Sequence, residues 1–164
     1  MDKFYPLRNI ILLLNLNYNI CPLNNLVYNV VMNNFTNELR QHNLKATPQR
    51  LAISDALFTH GHINIDALYL LMLKNFHSIS LATIYKNINL MIENSFIQEV
   101  KIPQDKSVFE LTKATHHHLV CSTCKSVEDI FLDTKNIYSQ VQTKSNFKIS
   151  KTDFVFSGIC KNCQ

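Results

Sequence analysis

Residues 116–124 read His-His-His-Leu-Val-Cys-Ser-Thr-Cys, and a second Cys-x-x-Cys stands at Cys160 and Cys163. A chain that gathers both cysteine pairs on one ion must bring these two segments together, so this pattern constrains the fold more than any other. Four soft thiolates suit a closed tetrahedral zinc centre. If the histidine stretch is extended, alternate residues share a face, so His116 and His118 point one way while His117 and Cys121 point the other. One short segment then serves two sites, because imidazoles without sulfur suit a separate nitrogen and oxygen centre for a harder transition metal.

The 164 residues make one ordinary domain or two small ones, and a hydrophobic content of 46% suffices for a core. Five cysteines with no convincing export signal predict a cytoplasmic protein. In a reducing compartment, Cys-x-x-Cys pairs bind metal or exchange electrons rather than form structural disulfides. A thioredoxin-like redox pair needs a βαβ context that is missing here. The net charge of +4 permits nucleic acid without requiring it. Between Met32 and Thr112 seven Lys and Arg face seven Asp and Glu, so charge alone does not point to DNA.

The first 31 residues are rich in Asn and Leu. Asn15, Asn17 and Asn19 interrupt the apolar run, no small-residue cleavage site follows, and the run is too short to span a bilayer. Residues 1–31 are therefore expected to be a nonessential extension, with Met32 the functional start and Cys21 a bystander.

From Phe35 onward the pattern predicts short helices. Thr47-Pro48 offers a hydroxyl cap followed by proline at the first helical position and opens a helix over Pro48 to Thr59. Asn64 caps another reaching about Phe76. Ser80 precedes Leu81, Ile84, Ile88 and Met91, whose spacing buries one stripe, while Ala82, Thr83, Lys86 and Asn89 lie on the other faces with Tyr85 near the edge. Two extended runs follow, Ile97 to Ile102 and Ser107 to Leu111, joined by Pro103-Gln104-Asp105-Lys106 as a hairpin. Helices followed by a hairpin outline a winged helix-turn-helix over residues 32–112; a small α+β domain with no nucleic-acid role fits the same pattern. Residues 113–164 read as strand (His117 to Cys121), strand (Val127 to Phe131), helix (Asp133 to Lys144), strand (Phe147 to Phe156) and the last cysteines. So short a unit needs a metal or a partner chain to be stable, which predicts zinc and dimerisation.

Taken together, Leu-Lys-Ala-Thr-Pro-Gln-Arg (44–50), Ser-Leu-Ala-Thr-Ile-Tyr-Lys-Asn (80–87), Lys-Ser-Val-Phe-Glu-Leu (106–111), the His-x-His-x-x-Cys-x-x-Cys run and the terminal Cys-x-x-Cys resemble the ferric-uptake-regulator family of metal-responsive repressors. The resemblance covers Met32 to Gln164. It implies an α+β fold with an N-terminal winged-helix domain and a C-terminal α/β dimerisation domain, acting as a homodimer on A·T-rich inverted repeats in double-stranded DNA, with no membrane association. It further implies one structural Zn2+ per subunit on Cys121, Cys124, Cys160 and Cys163. It assigns a regulatory Fe2+ or Mn2+ to His62, Glu110, His116, His118 and Asp129. His117 is expected to face away and bind no metal. For DNA the candidates are Tyr85, Ala82, Thr83 and Lys86, with Lys45 and Arg50 reaching phosphates. Tyrosine and small methyl-bearing side chains pack on thymine methyls.

Small departures bear on the branch of the family. Asp129 matches its peroxide-sensing members, whereas Glu110 matches the iron-uptake members. No histidine lies in Lys148 to Gly158, and Asn136 stands where an additional acidic ligand of the iron-uptake members would be, which argues against a third metal site. The balance favours peroxide sensing, in which ferrous iron reacts with hydrogen peroxide and a ligating histidine, His62 or His116, is oxidised, releasing DNA. One regulator is consumed per signal, so this is not an enzyme. The alternative within the class is an iron-level repressor without oxidative chemistry. The alternative of a different class is a zinc- or thiol-dependent enzyme; a catalytic zinc site needs an open coordination position and a general base beside it, whereas four cysteines already complete a tetrahedron.

Overall fold

The computed structural model describes residues 23–150 and 152–164, with the side chains of the first helix described from Met32 onward. The expectation for residues 1–22, Cys21 included, lies outside the described residues. The chain forms two compact units that divide between Lys113 and Ala114.

The first unit begins with helix α1 (Leu23–Gln41), which starts before Met32 and runs through it. Helices α2 (Pro48–His60), α3 (Ile65–Asn75) and α4 (Leu81–Glu93) follow, each opened by its expected cap. Thr47 accepts from the Arg50 amide, Asn64 from Ala67 at 2.9 Å and Ser80 from Thr83 at 3.2 Å. Such a cap satisfies one of the donors that a helix start leaves orphaned. Gly61 ends α2 at φ 73, a left-handed position that favours glycine. The expected hairpin forms from β2 (Ile97–Val100) and β3 (Val108–Leu111), paired antiparallel with Val100 opposite Val108. Its first strand stops two residues short of Ile102, just ahead of Pro103, which has no N–H to extend a ladder.

One strand escaped the pattern. A two-residue β1 (Ile63–Asn64) pairs with β3 to give the sheet order β1-β3-β2, with Ile63 opposite Phe109. Two residues show no alternation that a period could reveal.

The core lies under α4. Ile84, Ile88 and Met91 are buried, and they belong to a cluster that includes Phe35, Leu39, Ile53, Leu57 and Leu68. The Phe35 and Phe58 rings meet edge to face at 5.6 Å. Because the buried stripe anchors α4, its opposite face is free for another surface. Ile88→Ala is expected to destabilise this unit by about 3 kcal/mol through lost transfer energy plus a cavity. A lower urea midpoint with an unchanged slope would show it.

The second unit is a three-stranded sheet, β4 (His117–Cys121), β5 (Val127–Ile130) and β6 (Val155–Gly158), in the order β5-β4-β6, with helix α5 (Lys135–Ser145) between β5 and β6. Strand β5 runs antiparallel to β4 and β6 parallel to it. The strand expected over Phe147 to Phe156 is instead confined to Val155–Gly158. The physical reason is pairing: β4 is five residues long, and its ladder with β6 begins at His118 opposite Val155. Among the described residues upstream, none is assigned to that ladder, although the Phe154 carbonyl still accepts from the His118 amide at 3.0 Å. Val120 and Cys121 are the buried apolar residues among those described in this unit, and α5 buries none.

Candidate metal centres and nucleic-acid interface

The four cysteines converge through strand pairing. Cys121 ends β4 opposite Gly158 of β6, so the turn after β6 delivers Cys160 and Cys163 beside it. Cys124 reaches the same place through the tight turn after β4, in which the Lys125 amide donates to the Cys121 carbonyl at 3.0 Å and Lys125 sits at φ 62. The four sulfurs lie within 4.8 Å of one another, and Cys124 Sγ is 3.7 Å from Cys160 Sγ.

Their electrostatics call for a cation. The Cys160 backbone N–H points at Cys121 Sγ at 3.4 Å and, with the Cys124 amide, holds the Cys121 thiol down at about 5. The Ser126 hydroxyl, 3.2 Å from Cys124 Sγ, lowers that thiol as well. Cys163 is pushed up to about 12, first by the Cys160 sulfur and then by Cys124. Alone, the cluster cannot hold four thiolates; a divalent cation removes that conflict, since a coordinating thiol is deprotonated by the metal. The donor set and its closeness fit tetrahedral zinc.

The nitrogen and oxygen donors are built separately in each unit. In the first, the β1–β3 register that puts Ile63 opposite Phe109 carries His62 towards Glu110, and His62 Nε2 is 3.4 Å from Glu110 Oε2. The buried Glu110 is oriented by Gln98, whose Nε2 donates to Oε1 at 2.7 Å, and by Lys113, whose Nζ is 2.7 Å from Oε2. Sequence reading missed both partners. Lys113 stands three residues after Glu110, but that spacing names a neighbour only on a helix.

In the second unit, His118 and Asp129 are cross-strand partners of β4 and β5, and His116 lies just ahead of β4. His116 Nε2 is 3.0 Å from His118 Nε2, and Asp129 Oδ1 is 3.4 and 3.9 Å from the two rings. His116 Nδ1 lies 2.8 Å from the Ala114 carbonyl oxygen, which can only accept. That contact fixes the proton on Nδ1 and turns the Nε2 lone pair towards His118, the tautomer that a metal needs. His117 points the other way. Its ring packs 4.8 Å from Phe154, its Nδ1 accepts from the Phe154 amide at 3.4 Å, and burial, then His116, lower its pKa.

The nucleic-acid candidates all fall in the first unit. Ala82, Thr83, Tyr85 and Lys86 are exposed on α4, and Lys45 is exposed before α2. Arg50 is committed within the fold: Nε donates to Asn87 Oδ1 at 3.1 Å and Nη1 to the Lys45 carbonyl at 2.9 Å. It thereby braces α4 against the start of α2.

The model of the ferric uptake regulator family matches residues 41–157. The chain belongs to the ferric uptake regulator family. Among its relatives is the peroxide-responsive repressor PerR of Staphylococcus aureus, 30% identical over 128 residues that cover 77% of this chain and 86% of the repressor. Among solved structures, the Campylobacter jejuni peroxide stress regulator is similar with a TM-score of 0.60 at 34% identity, covering 76% of this chain and 96% of that one. The Vibrio cholerae ferric uptake regulator is similar with a TM-score of 0.63 at 29% identity, over 76% and 98% of the two chains. The fold is thus the family's winged helix-turn-helix followed by a small α/β unit. Among the described residues, no helix is long and apolar enough to cross a membrane.

Proposed function

We propose that this protein is a dimeric, metal-dependent DNA-binding repressor of the cytoplasm that senses hydrogen peroxide through oxidation of a metal-ligating histidine. The observation that carries the reading is the pairing of His116 and His118 with Asp129 beside a separate all-sulfur cluster. Thiolates claim zinc, and a sulfur-free set of imidazoles and carboxylates suits ferrous iron or manganese.

In this reading one structural Zn2+ per subunit sits on Cys121, Cys124, Cys160 and Cys163. His62 and Glu110 of the first unit and His116, His118 and Asp129 of the second are ligands of one regulatory ion, as the family resemblance implies. An ion shared by both units favours the conformer whose α4 helices suit successive major grooves, and it shifts the population only by its differential affinity for that conformer. Ferrous iron there supplies the reductant for hydrogen peroxide. His62 or His116 is the predicted target of the oxidant, and an oxidised imidazole would no longer serve as the ligand that ties the units. Exposed apolar side chains on the second unit, among them Phe131, Leu132, Ile137, Val141, Phe147 and Phe156, support a partner copy there.

Glu110 favours a second reading, an iron-level repressor without oxidation, because iron-uptake members carry Glu at that position. Either reading predicts metal-dependent DNA binding. Fluorescence anisotropy with an A·T-rich inverted-repeat duplex should show tight, salt-sensitive binding with manganese and loss of binding when the regulatory ion is chelated. Binding indifferent to manganese would overturn both.

A further inference from the structure

One motif residue has no part in the metal centres or the α4 face. Lys106 ends the turn of the β2–β3 wing, exposed, and its ammonium meets the carboxylate of Asp66, forty residues away in the first turn of α3. Both side chains are more than half exposed, at 66% and 54%. The wing is shaped to present Lys106: Gln104 turns the chain at φ 60 and the Asp105 carboxylate accepts the Lys106 amide at 2.8 Å.

An exposed ion pair of this kind is weak and easily exchanged. A carboxylate and a DNA phosphate offer a lysine the same charge and the same oxygen acceptors. We propose that Lys106 binds a backbone phosphate from the wing, and that Asp66 is an internal stand-in for that phosphate which competes with DNA for it. The inference rests on the DNA-binding reading and names a positioning residue rather than a base reader, since phosphate contacts set register and carry no sequence information. Asp66 then tunes affinity: breaking the pair takes back part of what the phosphate interaction contributes.

The test uses the full zinc-replete, manganese-loaded protein and the same labelled duplex, titrated across a range of salt. Lys106→Gln should weaken binding about eightfold at 0.1 M salt for each phosphate that is no longer neutralised, about 60-fold for the two wings of a dimer, and flatten the log–log salt dependence by about 0.9 per phosphate. Asp66→Asn should tighten binding about two- to fivefold. In the Lys106→Gln background the same Asp66→Asn change should have no effect, because the competition is gone. Unaltered thermal melting would establish that these exposed variants fold.

A persisting gain from Asp66→Asn without Lys106 would mean general charge repulsion and overturn the stand-in role. Weaker binding by Asp66→Asn alone would overturn it too. Wild-type affinity and salt slope in Lys106→Gln would sink the phosphate role itself while leaving the repressor reading intact. A wild-type protein that binds no duplex at any metal loading would sink both.

Discussion

Cys124→Ser, or withdrawal of zinc by a strong chelator, is expected to unfold the second unit while the first stays folded. The second unit has few means of its own: among its described residues Val120 and Cys121 are the buried apolar ones, and α5 packs no buried side chain. What joins its segments is the β4 ladder with β5 and β6 and the sulfur cluster at the end of it. In small metal-dependent units, binding free energy is folding free energy and is comparable with a domain's whole stability. Hydrogen exchange should show loss of protection for the amides of β4 and β6, with amides of α4 over Ile84 and Ile88 still protected. Acid should act like the chelator, since protons compete for the thiolates and metal affinity falls as pH falls. Retained protection in β4 and β6 after complete zinc removal would contradict this account.

His118→Ala is expected to lower manganese affinity by more than about 100-fold, because in the proposed reading it removes a direct ligand, where loss of an outer partner alone costs about 10–100-fold. His117→Asn should leave that affinity within about threefold. The two residues are adjacent, but β alternation sends them to opposite faces, and His117 is engaged with Phe154. An asparagine carbonyl can still accept the Phe154 amide, so the backbone link survives. Titration of manganese followed by electron paramagnetic resonance separates the two. Equal losses in both variants would mean that the histidines act through the fold rather than on the ion.

Much of this was legible in the sequence where interactions are local. Thr47, Asn64 and Ser80 announce their helices because a cap is an interaction within three or four residues. The Ile84, Ile88 and Met91 stripe announces its face because helical period is fixed. The alternation of His116, His117 and His118 announces that His117 turns away from the other two. What was not legible is non-local. The two-residue β1 is too short to show a period, although it is what carries His62 towards Glu110. The parallel pairing of β6 with β4 depends on a crossover through α5, so the pattern places the strand too early, over Phe147 to Phe156 rather than Val155–Gly158. Nothing in the segment around Arg50 reveals Asn87, thirty-seven residues on, as a hydrogen-bond partner.

The central claim, peroxide sensing through a ligand histidine, is tested by loading the protein anaerobically with ferrous iron, adding one equivalent of hydrogen peroxide, and measuring peptide mass and DNA binding together. The account predicts a gain of one oxygen, roughly 16 mass units, on a fragment localised to His62 or His116, with DNA binding abolished and not restored by fresh metal. Methionine oxidation adds the same mass, so fragmentation must place the oxygen on the ring. Unmodified histidines, with DNA binding still governed by chelation and reloading, would contradict it and leave an iron-level sensor.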